Sequence, residues 1–235
     1  MANAITRSIP NTITSCNLFC GCIAVYMGFQ SNYEMALLFI ILGAIFDFFD
    51  GMSARLLHVS SAIGKELDSL ADDITFGLAP SAIVFSLFHE VQVPGFLAPV
   101  SGILPYTAFL ISVFSALRLA KFNIDERQTT SFIGMPTPAN ALFWGSLVLG
   151  SHSFLVSEHF NAIYLLILVI IMSLLLVAEI PMFSLKFKDL SWGHNKVSYI
   201  FLLVSIPLLI LFRLSGPAAV IIWYIILSLV TRKKS

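Results

Sequence analysis

Charge is scarce in this chain. Aspartate, glutamate, lysine and arginine make up 11% of its 235 residues, where a soluble domain carries about 25%. With 58% hydrophobic residues and a mean hydropathy of +0.92, the shortage excludes an ordinary water-soluble globule and points to a polytopic membrane protein. The 13 basic residues balance the 13 acidic ones. No basic stripe or nucleic-acid motif appears, so nucleic acid is not an expected partner. Cysteine is also scarce: Cys16, Cys20 and Cys22 are odd in number and lie in an apolar segment. They read as small hydrophobes rather than a disulfide or metal site. The N-terminus lacks a compact apolar run ending in a small-residue cleavage site, which argues against a cleaved signal peptide. Internal repeats, low-complexity tracts and linkers are missing too, so residues 1–235 read as one domain.

What the sequence has in quantity is long apolar runs. Eight can be marked, at approximately 13–30, 34–57, 69–89, 97–119, 138–157, 161–183, 196–213 and 216–231. Each has roughly the 20 residues that a helix needs to cross hydrocarbon. The expected fold is therefore an all-α transmembrane bundle of about eight spans. Turn residues such as "QSNYE", "QVPG", "SEHFN" and "LSGP" separate the runs. Arg7, Arg55, Lys65, Arg118, Lys121, Arg127, Lys186, Lys188, Lys196, Arg232, Lys233 and Lys234 fall on one side of such a map, and Arg213 on the other. The positive-inside rule then places both termini in the cytoplasm of an inner or plasma membrane protein.

Against this apolar background, "DFFDGMSARLLHVSSAIGKELDSLAD" puts Asp47, Asp50, Asp68 and Asp72 at the cytoplasmic ends of spans two and three. At about 100° per residue, Asp47, Asp50, Gly51 and Ala54 share one helix face. Gly64, Asp68, Asp72 and Thr75 share a face on the next helix, and Asp73 points roughly 100° away from Asp72. Spacings of three and four bring side chains within about 5–6 Å. Facing carboxylates repel in a low-dielectric site, and two divalent cations would balance them. Oxygen-only ligation suits Mg²⁺, Mn²⁺ or Ca²⁺ over zinc. Small residues beside the acids leave room for a bulky ligand, and Arg55 offers a phosphate-binding fork. The stretch reads as a metal-bound pyrophosphate cradle. An ion-coupled transporter would also bury acids in its spans, but it has less use for the Gly51–Ala54–Arg55 surface, and the inverted repeat common in such proteins is not evident.

The pattern Asp47-x2-Asp50-Gly51-x2-Ala54-Arg55-x8-Gly64-x3-Asp68-x3-Asp72 resembles the complete signature of the CDP-alcohol phosphatidyltransferase family. That resemblance implies an integral-membrane enzyme, expected as a homodimer, that holds Mg²⁺ or Mn²⁺ as a pair of divalent cations on Asp47, Asp50, Asp68 and Asp72. Asp72 would also be the catalytic base, and Gly51, Arg55 and Ser61 would contact the diphosphate of CDP-diacylglycerol. The element "IPNTIT" resembles a Pro-Asn-x-x-Thr motif of the family and would bring Asn11 and Thr14 to the nucleotide; Asn11 or Thr12 would equally suit a helix N-cap. Two further stretches, "SALRLAKFN" and "FIGMPTPAN", resemble the bacterial serine-using branch of that family. They imply L-serine as acceptor, with Arg118, Lys121 and Asn123 as its candidate ligands. Glycerol 3-phosphate or inositol phosphate is the alternative acceptor. The resemblance is specific up to about residue 140; 141–235 matches only as apolar spans.

Overall fold

The computed structural model describes residues 4–59, 61–125, 132–183 and 192–231. Of the basic residues used for orientation, Arg127, Lys186, Lys188, Arg232, Lys233 and Lys234 lie outside the described residues, as does the side chain of Arg7.

The chain runs up and down between two ends. Helix α1 (Ala4–Phe29) leads away from the acid end, where Asp47, Asp50, Asp68 and Asp72 lie. Asn32 reverses it: its side chain accepts from the Met35 N–H at 3.2 Å and caps α2 (Tyr33–Leu56), which returns. Ser61 caps α3 (Ala62–Asp72) in the same way, its Oγ accepting from the Gly64 N–H at 2.9 Å. Directly after Asp72 the rod widens into a π-helical stretch, Asp73–Leu78, before continuing as α4 (Ala79–Phe88). Pro80 has no N–H to offer the preceding turn, and such bulges concentrate at functional sites. Two short 3-10 turns, Gly95–Val100 and Leu104–Phe109, lead into α5 (Leu110–Ile124), which comes back to the acid end.

The second half adds α6 (Thr137–Leu155), α7 (Ala162–Val177), α8 (Trp192–Phe212) and α9 (Gly216–Val230). Gly134, at φ +77°, makes the sharp entry to α6 that a residue with a Cβ would resist, since its place is taken by the Leu176 carbonyl. A two-residue antiparallel ladder pairs β1 (Phe132–Ile133) with β2 (Pro181–Met182) across the base of α6 and α7. That short ladder and an isolated parallel bridge between Gln92 and Asn161 interrupt the otherwise helical pattern of the described residues. Arg213 takes φ +50° and turns α8 back into α9. One apolar core, from Ala24 through Phe76 and Trp144 to Ile225, joins both halves.

Among the described residues, five helical stretches are long and apolar enough to cross a membrane: Ser8–Phe29, Tyr33–Leu56, Ala62–Phe88, Leu104–Ile124 and Asn195–Val230. The protein is therefore membrane-embedded, but the expected eight crossings are not matched by length and apolarity. Helix α7, at 16 residues, is apolar but short. In α6 the backbone leaves helical geometry at Ser151.

The first three rods are held at one crossing. Thr75 is fully buried between Gly21 of α1 and Gly43 of α2. A Cβ at Gly43 would sit 2.5 Å from the Thr75 methyl, and one at Gly21 would meet the Thr75 hydroxyl. Larger residues at either glycine would push the helices apart and move the acids they carry.

Candidate active site

Helices α2 and α3 bring their acids together at the cytosol-facing end of the sequence map. One carboxylate oxygen each from Asp47, Asp50 and Asp68 lies within 4.8 Å of the others. Asp50 Oδ2 and Asp68 Oδ1 are buried and have no hydrogen-bond partner. Buried oxygens without partners, converging from two helices, are the donor set that a hard divalent cation takes. The residues present therefore fit the Mg²⁺ or Mn²⁺ that the resemblance implies.

Asp72 is not one of that trio of ligand atoms, but its side chain is within hydrogen-bonding reach of Asp47 and interacts electrostatically with Asp68 and Asp50. Its carboxylate is held from behind. Asn17 Nδ2 donates to Asp72 Oδ1 at 3.2 Å. Thr75 Oγ1 donates to Asn17 Oδ1 at 2.8 Å, which fixes the Asn17 amide with its NH₂ toward Asp72. Sequence reasoning missed Asn17. Its signal was the polar face Asn11, Thr14, Asn17 repeating every three residues on α1.

A cavity of about 270 Å³ opens beside the acids. Pro10, Asn11 and Thr14 of α1, Asp50, Gly51 and Ala54 of α2, and Ser61, Gly64, Lys65 and Asp68 of α3 line it, with Val59 from the connecting loop. Asn11 and Thr14 thus line the same cavity as Gly51 and Ser61. The N-cap alternative does not hold: α1 begins at Ala4, so Asn11 and Thr12 are interior to it. Gly51 has open space within 4 Å of where a Cβ would stand. At Gly64, by contrast, a Cβ would meet Asn11 Oδ1 at 2.8 Å. Ser61 lines the cavity and caps α3 at once. Arg55 is exposed and outside the lining residues, its Nε donating to the Gly51 carbonyl at 2.9 Å. Lys65 is a lining cation that sequence reasoning had used only for orientation. His58 ends α2 in a left-handed conformation, exposed and away from the lining.

The three acceptor candidates on α5 separate. Arg118 is 7% exposed and in electrostatic contact with Asp72, with its Nε buried and unpartnered. Its guanidinium stacks 5.8 Å over the Phe122 ring. Lys121 faces Glu179 at 3.9 Å on an exposed surface. Asn123 is committed to packing: Nδ2 donates to Ser69 Oγ at 2.8 Å and its carbonyl accepts from Lys65 Nζ at 3.0 Å. In the "FIGMPTPAN" stretch, Asn140 is fully buried with both amide atoms unpartnered.

A family model described as CDP-alcohol phosphatidyltransferase matches residues 7–151. A Bacillus subtilis (strain 168) protein named CDP-diacylglycerol--serine O-phosphatidyltransferase is 45% identical over 130 residues, covering 55% of this chain and 69% of that one. A Helicobacter pylori (strain ATCC 700392 / 26695) protein of the same name is 32% identical over 205 residues, 86% of this chain and 81% of its own length. One from Methanocaldococcus jannaschii is 30% identical over 173 residues, with 74% and 72% covered. A cradle of carboxylates on two helices that both pack against α1, a cavity beside it and this similarity across most of the chain lead to one conclusion: the chain belongs to the CDP-alcohol phosphatidyltransferase family.

Proposed function

We propose that this enzyme transfers the phosphatidyl group of CDP-diacylglycerol to the hydroxyl of L-serine, giving phosphatidylserine and CMP, at the cytoplasmic face of the membrane. The observation that carries the reading is the convergence of Asp47, Asp50 and Asp68 beside the cavity, with Asp72 and the buried Arg118 in electrostatic contact behind them. The names of the relatives support serine as the acceptor. The whole chain acts as a single domain, and a homodimer, implied by the family resemblance, is part of the same proposal.

Asp47, Asp50 and Asp68, with Asp72 at their edge, are the residues that would hold two divalent cations. When bound, these supply charge neutralisation for the diphosphate and for the departing CMP. Asn11, Thr14, Gly51 and Ser61 form the wall for the nucleotide diphosphate, with Arg55 at its rim. Arg118 takes the serine carboxylate. Asp72, aligned by Asn17, accepts the proton of the serine hydroxyl. The hydroxyl oxygen forms its bond to the phosphorus that carries diacylglycerol, and the bond to CMP breaks with its electron pair leaving on CMP. No cysteine or histidine lies among the lining residues, so direct displacement with inversion at phosphorus is expected.

The test is CMP formation in mixed micelles with Mg²⁺ or Mn²⁺ and each acceptor at matched concentration. L-serine drives it; glycerol 3-phosphate and inositol phosphate do not. A faster rate with glycerol 3-phosphate would remove the serine assignment and leave the transfer chemistry in place. Absence of CMP release with every acceptor would favour a carrier over an enzyme.

A further inference from the structure

The connections at the end away from the acids are not alike. Gln30, Ser31 and Asn32 join α1 to α2, and Glu158 and His159 lie between α6 and α7; all five are polar and exposed, as turns in water are. The connection from α4 to α5 is different. From Val91 to Leu117 the chain has no Asp, Glu, Lys, Arg or His. Its two 3-10 turns turn apolar side chains outward: Phe96 is 74% exposed, Ile103 68% and Tyr106 61%, and Val93 and Val100 are exposed too. Exposed apolar groups gathered in one short segment mark a surface that meets something other than water.

The backbone of this segment is suited to a medium without water. The N–H groups of Leu97, Ser101, Ile103 and Tyr106 donate to the carbonyls of Pro94, Ala98, Val100 and Ile103 at 2.8, 3.3, 2.9 and 3.1 Å. The Ser101 and Thr107 hydroxyls donate to the Ala98 and Leu104 carbonyls at 2.8 and 2.6 Å. Pro94, Pro99 and Pro105 have no N–H to satisfy. Local satisfaction of this kind is what hydrocarbon demands of a chain. Depth follows from the aromatic contacts. The Tyr106 ring meets Phe85 with centroids 5.6 Å apart, and Phe85 meets His89, one turn further along α4, at 5.1 Å. Tyr106 thus lies level with the turn before the polar His89–Glu90 edge. Its exposed side continues into Val113 and Leu117, exposed on the span Leu104–Ile124.

We infer that residues 93–106 form an interfacial foot, with Phe96, Ile103 and Tyr106 seated among the headgroups and upper acyl chains of the leaflet away from the acid end. The partner is the lipid surface itself. Continuity with the outward apolar row of a span and the lack of any charge favour it, and the tyrosine suits it, since its ring is apolar and its hydroxyl can reach the headgroups. The foot also accounts for the sequence's fourth apolar run, 97–119, starting well before α5: its first part lies along the membrane edge rather than across it. This inference holds whichever acceptor the enzyme uses.

The experiment uses the full chain with Cys16, Cys20 and Cys22 replaced by alanine, reconstituted in phosphatidylglycerol–phosphatidylethanolamine nanodiscs. Bimane is attached to Phe96→Cys, to Ile103→Cys and, as the control in a polar turn at the same end, to Glu158→Cys. Lipids brominated at carbons six and seven of the acyl chain should quench the first two by about half and the control by less than about a tenth, because the foot sits within about 5–10 Å of the headgroup boundary. Aqueous iodide should quench the control about five times more strongly than either foot position. If the cysteine-free chain does not fold, Phe96→Trp in the native chain carries the test through the extra tryptophan emission that brominated lipid removes relative to wild type. Iodide access at Phe96→Cys and Ile103→Cys equal to that of the control would place the segment in water and overturn the inference. Exclusion of both quenchers would show that protein covers it, as a second copy of the chain would, and would overturn it equally.

Discussion

At the end of the bundle opposite the acid cradle, Glu90 is surrounded by partners. The Tyr33 hydroxyl hydrogen-bonds to its Oε1, and His152 Nε2 lies 2.6 Å from its Oε2. The Tyr33 and His152 rings also meet, tilted at 41° with centroids 5.5 Å apart. One carboxylate there ties the start of α2, the end of α4 and the end of α6. At the acid end, Asp50, Asp68 and Asp73 each keep a buried oxygen with no partner. The protein thus spends its far-end carboxylate on structure and leaves its near-end carboxylates available. Unsatisfied polar groups cost stability, and a fold keeps them where a ligand will complete them.

The first way to break this comparison is to ask which side each end faces. A reporter active only outside the cytoplasm stays silent when fused after Ser235 and becomes active when fused to a chain truncated after Pro94. Activity after Ser235 would mean an odd number of spans and would break the eight-span map.

Next in size is catalysis. Asp72→Asn should lower CMP release by about 10²–10⁴-fold, the usual worth of a general base. Asp47→Asn, Asp50→Asn and Asp68→Asn should fall at least as far. In chelator-treated protein the same variants should melt no lower than wild type, because each removes a repelled charge. An Asp72→Asn protein with more than about a tenth of wild-type turnover would take Asp72 out of the base role.

Glu90→Gln should show the reverse signature. Losing the charged acceptor of these hydrogen bonds should cost roughly 1–3 kcal/mol of stability, with turnover at saturating substrate within twofold of wild type. Collapsed turnover with an unchanged melting temperature would mean that the far end takes part in the chemistry.

Metal should sharpen the contrast. Mg²⁺ or Mn²⁺ at about 100 times its Kd stabilises by roughly 2.7 kcal/mol. The melting temperature of wild type and of Glu90→Gln should rise on adding metal, whereas that of Asp50→Asn should not. A full rise in Asp50→Asn would place the cation elsewhere.

The smallest effect is in pH. Burial pushes the Glu90 carboxyl up, but the hydrogen bonds from Tyr33, His152 and Ser31 outweigh it and hold the group below its usual range. A depressed folded-state value means that the contribution is fully present above the unfolded value, about 4.3, and is lost as pH falls through the folded one. The stability gap between wild type and Glu90→Gln should therefore stay level from about pH 8 to 5 and close only below about pH 4. A gap that closed by pH 6 would contradict the arrangement around Glu90.

The amino-acid sequence by itself determined the membrane setting and the cradle. Both follow from local rules: apolar length sets what can enter a bilayer, and helical periodicity sets which of Asp47, Asp50, Asp68 and Asp72 share a face. Only the tertiary structure decided how those faces are used. It placed Asn17 of α1 behind Asp72, set Arg118 against Asp72 while Lys121 paired with Glu179 and Asn123 with Ser69, and turned Asp73 onto α5. It also put Asn11 inside α1 rather than at its cap, and it joined Tyr33, Glu90 and His152, which are remote in sequence. Periodicity fixes a residue's angle on its own helix. Which helix meets that angle depends on close approaches such as Thr75 against Gly21 and Gly43, and these exist only once the helices have packed.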